Sequence, residues 1–141
     1  MDRKHTIALW RYLDNERNYP GYHLTADEFG CQLLKDQISS VLDRRPVAEI
    51  ALSPPTQAIL NVPANRRGEA RCIYFSGLLL RRSDVASKFR ITESGSSCQL
   101  LGSQEFIAQM HTGIEDICHG RGDYSIGDKN AQSLWFWWFP S

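Results

Sequence analysis

The chain has 141 residues, 16 basic and 16 acidic, so its formal net charge is zero, and 42% of it is hydrophobic against 23% charged. That balance excludes an intrinsically disordered chain, and a globule of this length needs no metal or disulfide to build a core. Zero net charge argues against a nucleic-acid binder, whose affinity rests on neutralising phosphates, and no apolar run approaches the ~20 residues of a membrane helix.

From the N-terminus, Thr6 to Leu13 (TIALWRYL) is apolar enough for a buried strand. Only Ile7 to Leu9 form an apolar run before Trp10 and Arg11, which is too short for the core of a secretion signal. Four cysteines, Cys31, Cys72, Cys98 and Cys118, are widely spaced with no C-x-x-C pair. A cytoplasmic location with reduced thiols is therefore expected. Residues 14–21 (DNERNYPG) read as a loop.

The stretch TADE at 25–28 predicts a helix start, with Thr25 capping the free amides and Glu28 reaching back. Ala26, Phe29, Leu33, Leu34, Ile38 and Val41 then recur at helical spacing, which predicts a helix over 25–42 ended by Arg44, Arg45 and Pro46. Val47 to Leu52 reads as a strand stopped by Ser53-Pro54-Pro55. Residues 57–62 are open between a short helical turn capped by Ser53 and another strand, and 63–68 (PANRRG) form a loop.

Ala70 to Leu80 has apolar residues at both parities, which predicts a central strand covered on both faces. After a turn-like segment (RRSDVAS), Phe89 to Thr92 is a shorter strand. ESGSS makes a turn, and Cys98 to Leu101 pairs back as a hairpin. Ser103 then caps a second helix with the stripe Phe106, Ile107, Met110, Ile114, Ile117 and Cys118, stopped by His119-Gly120. A polar loop over 122–132 leads to the closing strand in SLWFWWFPS.

The expected fold is a single α+β domain over 1–141. It has one mostly antiparallel sheet of four to six strands with two helices on one face, in a βαββαβ-like order with an added hairpin.

Few constellations carry chemistry. His111, Glu115 and His119 stand four residues apart along one helix edge, a spacing that can bind a metal or let a carboxylate orient an imidazole. The same spacing also suits a solvated helix edge with a His–Glu pair. The glycine-rich loop 119–129 lies after a helix rather than before one and carries Asp123 and Asp128, so it does not read as a phosphate cradle. Cys118 beside His119 reads as a small core residue rather than a catalytic dyad. The Arg-Arg pairs at 44–45, 66–67 and 81–82 read as solubilising charge.

Three of the four tryptophans and two of the six phenylalanines fall within Trp135 to Phe139. As a strand, Trp135, Trp137 and Phe139 point one way and Leu134, Phe136 and Trp138 the other. A strand with large residues on both faces is normally covered on both, which reads the tail first as a closing core strand. In the expected topology one face meets the helices and the other would be open sheet of the composition found at interfaces, so whether this chain or another covers it stays open. The function expected is a protein-binding module acting by docking or occlusion, as an immunity-type inhibitor or adaptor does. Its contacts would be Trp135, Trp137, Trp138, Arg121 and Asp123, made to another protein or to a second copy of the chain. The alternative is a small-ligand or metal-dependent enzyme centred on His111 and Glu115, with His119 beside them. RNA stacking on the aromatic face ranks last. No cofactor, no bound metal and no membrane contact is implied by any motif.

Overall fold

In β1 (Ile7–Tyr12) the side chains alternate: Ile7, Leu9 and Arg11 turn to one face, and Ala8, Trp10 and Tyr12 to the other. Both faces are covered, so the first strand of the chain runs through the middle of the molecule. The computed structural model describes residues 5–13, 21–43, 45–61, 72–83, 89–127 and 133–140. After β1 come β2 (Tyr22–Ala26), α1 (Glu28–Asp43), β3 (Val47–Ala51), α2 (Gln57–Asn61), β4 (Cys72–Tyr74) and β5 (Gly77–Arg82). The order continues with β6 (Arg90–Ser94), β7 (Ser97–Gly102), α3 (Gln104–Cys118), β8 (Asp123–Gly127) and β9 (Ser133–Trp137). Residues 14–20 of the loop expected at 14–21, the loop expected at 63–68, the end of the turn-like segment (84–87), and Arg44, Arg66, Arg67, Asp128 and Lys129 lie outside the described residues.

The architecture is α+β and mostly antiparallel, with the helices packed on sheet, as expected. The expected single sheet is instead two. One has the order β4-β1-β2-β9-β8 and the other β3-β5-β7-β6; among the described residues only β2–β9 and β5–β7 pair in parallel. The division arises where a single strand over 70–80 was expected. Phe75 and Ser76 break it: Phe75 N–H still donates to Leu9 C=O in the first sheet, while Ser76 C=O accepts from Leu52 N–H beside the second. The chain steps from one sheet to the other at that point, which is why both parities of the segment are apolar.

The helices α1 and α3 pack on each other and on the inner faces of both sheets. Leu34, Ile38 and Val41 from α1 and Ile107, Met110 and Ile114 from α3 join Leu9, Leu24 and Phe136 of the first sheet and Ile50, Leu80 and Leu100 of the second. All lie in one buried core. No helix among the described residues is long and apolar enough to cross a membrane.

Four local expectations change. Helix α1 starts at Glu28, and Asp27 takes the capping role, its Oδ1 accepting from Gly30 N–H at 2.7 Å. Thr25 stays in β2 because that strand is held between β1 and β9, and its hydroxyl donates to the Trp137 carbonyl at 2.8 Å. Within the expected stripe, Phe29 is 45% exposed, and Gly30 and Cys31 face the core instead. Gly30 is required there, because a Cβ would sit 2.4 Å from Thr6 C=O. Residues 57–61 resolve as the helical option, with Thr56 Oγ1 rather than Ser53 accepting from Ile59 N–H. Part of the expected loop 122–132 is β8, paired antiparallel to β9. The helix from Ser103 to its end at Cys118 and the hairpin β6–β7 form as expected.

Candidate functional site

The register of β9 decides what its aromatics do. Leu134 and Phe136 lie opposite Tyr22 and Leu24 and enter the core between the first sheet and the helices. The Phe136 ring lies against Gly113 of α3, where a Cβ would stand 2.6 Å from three ring atoms. Trp135 and Trp137 take the outer face, and the same register sets His23 between Trp10 and Trp135 on the neighbouring strands.

His23 is 0% exposed. Its ring is nearly parallel to Trp10 (centroids 5.6 Å apart, 22°), Trp135 (6.2 Å, 14°) and Trp137 (6.2 Å, 25°), and Tyr12 meets it edge-on at 4.8 Å. Trp137 Nε1–H donates to His23 Nδ1 at 2.9 Å. An indole nitrogen can only donate, so Nδ1 carries no proton and the neutral ring holds its proton on Nε2. Helix α2 covers this face with Ile59 and Leu60, and the Tyr12 hydroxyl donates to Leu60 C=O at 2.7 Å. The Trp10 indole N–H is buried there and meets no hydrogen-bond partner among the described residues.

The aromatic outer face, left open between cover by this chain and cover by another, is therefore largely closed by the chain itself. Trp137 is 4% exposed and Trp135 half-buried, whereas Trp138, just past the strand, is 38% exposed.

Beyond Trp137 the chain passes the start of α1, held there by the bond from Thr25. Phe139 comes to line a cleft of about 460 Å³ between the first turns of α1 and the last turn of α3. Asp27, Glu28, Cys31 and Lys35 line one side of it, and Glu115, Cys118 and His119 the other. Lys35 Nζ donates to Glu115 Oε2 at 3.0 Å. That bond raises the Lys35 ammonium above its ordinary value and holds the Glu115 carboxyl below its own. His119 Nδ1 lies 2.8 Å from the Glu115 backbone carbonyl and so donates to it, and 3.7 Å from Glu115 Oε1. Cys31 is fully buried, and burial followed by its interaction with Cys118 pushes its thiol up. Cys118 is exposed, against the expectation of a small core residue, because it ends α3 at the cleft mouth.

Of the residues singled out from sequence, Glu115 and His119 meet at this cleft, while His111 sits half-buried one turn earlier on α3. Among the described residues no group of three or more His, Cys, Asp or Glu side chains is placed to hold a metal ion. Glu115 is tied to a lysine, and a carboxylate held low is a poor proton acceptor at neutral pH. Arg121 is exposed and bound to the end of α3, its guanidinium 3.1 Å from Asp116 Oδ1. Asp123 opens β8 opposite Trp137, and its side chain lies outside the described residues. Sequence reasoning missed Asp27, Cys31, Lys35 and Phe139 here. Their shared signal is tertiary: the crossing of α1 and α3 brings them to one place.

A second polar cluster joins the two sheets. Glu93 of β6 accepts from Arg11 Nε at 2.6 Å and from the Tyr22 hydroxyl at 2.7 Å, both on the first sheet. Burial raises the Glu93 carboxyl, but these bonds and the Arg11 charge outweigh it and leave it below the ordinary value. Burial, and next to it Glu93, push the Tyr22 phenol up, and the same two causes push the Cys98 thiol up to about 12. No group in this cluster is poised to exchange protons near neutrality. The cluster ties β6 of the second sheet to β1 and β2 of the first.

Comparison with family models, with curated proteins and with solved structures finds no match for this chain.

Proposed function

We propose that the protein is a binding module that docks a short segment of a partner protein at the α1–α3 cleft. Its anchor is the exposed end of the aromatic tail. The observation that carries this reading is the contrast between neighbours: Trp137 is buried against His23, while Trp138 stands 38% exposed, edge-on to the Trp137 ring, and the next residue, Phe139, lines the cleft. Large exposed aromatics next to a concave, partly charged wall are what interfaces are enriched in. Asp27, Glu28 and Glu115 outnumber Lys35 along that wall, and Lys35 is already paired, so the complementary segment carries an apolar side chain flanked by lysine or arginine.

Selection of a random peptide library on the immobilised protein tests this. Peptides with an apolar anchor between basic residues are expected, and both Trp138→Ala and Glu28→Lys should weaken them at least tenfold. A selection that yields no binders, or binders indifferent to both changes, would end the proposal.

A further inference from the structure

Cys31 lies in the first turn of α1 and Cys118 is the last residue of α3. Packing of the two helices brings the thiols within interacting reach, and both line the same cleft. Their surroundings differ. Cys31 is fully buried with its S–H directed at Ala26 C=O, 3.6 Å away, whereas Cys118 is exposed to solvent. Lys35, fixed by Glu115, places an ammonium within charge range of both sulfurs. An accessible thiol beside an inaccessible one, with a cation close by, is the arrangement in which the first is oxidised and the second resolves it.

We propose that Cys31 and Cys118 are a peroxide-sensitive pair that closes into a reversible disulfide between α1 and α3. The Cys118 thiolate attacks one oxygen of hydrogen peroxide; an S–O bond forms, the O–O bond breaks, and the departing hydroxide takes a proton to become water. Cys31 then gives up its proton, and its thiolate attacks the Cys118 sulfenic sulfur. The S–S bond forms as the S–O bond breaks, and the second hydroxide leaves as water with that proton. Two thiols and one peroxide thus become one disulfide and two waters. This reaction stands apart from the docking reading and does not depend on it.

The reduced protein, titrated with hydrogen peroxide and mapped by non-reducing peptide mass spectrometry, is the test. One intramolecular link between Cys31 and Cys118 is expected, reversed by dithiothreitol, with Cys72 and Cys98 still open to alkylation after unfolding. Cys118→Ser, a change at an exposed position, should abolish the link and leave Cys31 reduced at the same dose. Cys31→Ser should accumulate a sulfenic acid at Cys118 that dimedone traps in several-fold greater yield than in the unchanged protein. If Cys31→Ser does not fold, the map of the unchanged protein and Cys118→Ser decide the matter alone. Peroxide that drives Cys118 to sulfinic acid, or links it to a second molecule while Cys31 stays reduced, overturns the proposal.

Discussion

Trp137→Ala should cost the protein a large part of its stability, and Trp138→Ala very little. Trp137 is 4% exposed and fills the outer face between His23, Trp135 and the α2 side of the sheet. Removing a buried tryptophan ring from such a site costs about 3–5 kcal/mol in lost contacts and cavity. The change also leaves His23 Nδ1 buried without its donor, which adds about 1–3 kcal/mol. A domain of this length has a total stability of roughly 7–20 kcal/mol, so Trp137→Ala folds with a small reserve or not at all. Trp137→Phe separates the two contributions, since it keeps most of the ring and removes only the N–H; about 2 kcal/mol is expected. Trp138 is 38% exposed, and its truncation should cost about 1 kcal/mol or less. Urea unfolding followed by circular dichroism measures all three, with the slope of the transition checked for constancy. Equal losses for Trp137→Ala and Trp138→Ala would refute the assignment of a covered and an exposed aromatic. It would also remove the basis for placing a partner at Trp138.

Two further outcomes follow from named contacts. Gly113→Ala should destabilise by about 1–2 kcal/mol, because the new methyl meets the Phe136 ring at 2.6 Å and overpacking of that kind outweighs the roughly 1 kcal/mol that alanine adds to a helix. Urea melts check it, and Phe136→Leu in the same chain should recover part of the loss. The second concerns pH. Glu93 has a folded value below its ordinary 4.5, so its contribution is present above that value and is lost as pH falls through the lower folded one. The difference in unfolding free energy between the unchanged protein and Glu93→Gln should therefore be constant from neutrality down to about pH 5 and shrink below it. A difference that grows on acidification contradicts the Arg11–Glu93–Tyr22 network.

Much of the fold was legible because its signals are local. The stripe of α3, its Ser103 cap and the glycine-turned hairpin β6–β7 each depend on residues within a few positions of one another. What failed did so where a tertiary contact outranked a local one. TADE is a sound capping sequence, yet Thr25 is worth more inside β2, bonded to the Trp137 carbonyl, and Asp27 two residues later caps as well. The polar strand β8 could not be recognised alone, because its pairing surface is β9, and the composition of DYSIG carries only Tyr124 and Ile126 in favour of a strand. The break at Phe75–Ser76 contains no proline or glycine before Gly77; both neighbours are apolar whether one sheet or two receive them.

The site was less legible, for a related reason. Alternation along SLWFWWFPS correctly separates Leu134 and Phe136 from Trp135 and Trp137, but whether a face is open depends on what folds over it. Residues 57–62 read equally as a helical turn or a strand, and as helix α2 they supply Ile59 and Leu60 over Trp10 and Tyr12. His23 carries no pattern of its own; only the pairing of β1, β2 and β9 reveals that it stands in register with Trp10 on one side and Trp135 on the other. Once that ladder is closed, the strand face itself offers little free aromatic surface. The proposed docking site lies instead where the strand ends: past Trp137 the chain has left its partners in the sheet, and Phe139 lines the cleft between the ends of α1 and α3. Most of the aromatic density of the tail thus goes into a buried stack around a histidine, with Phe139 packed at its margin and Trp138 edge-on to Trp137 but left partly exposed.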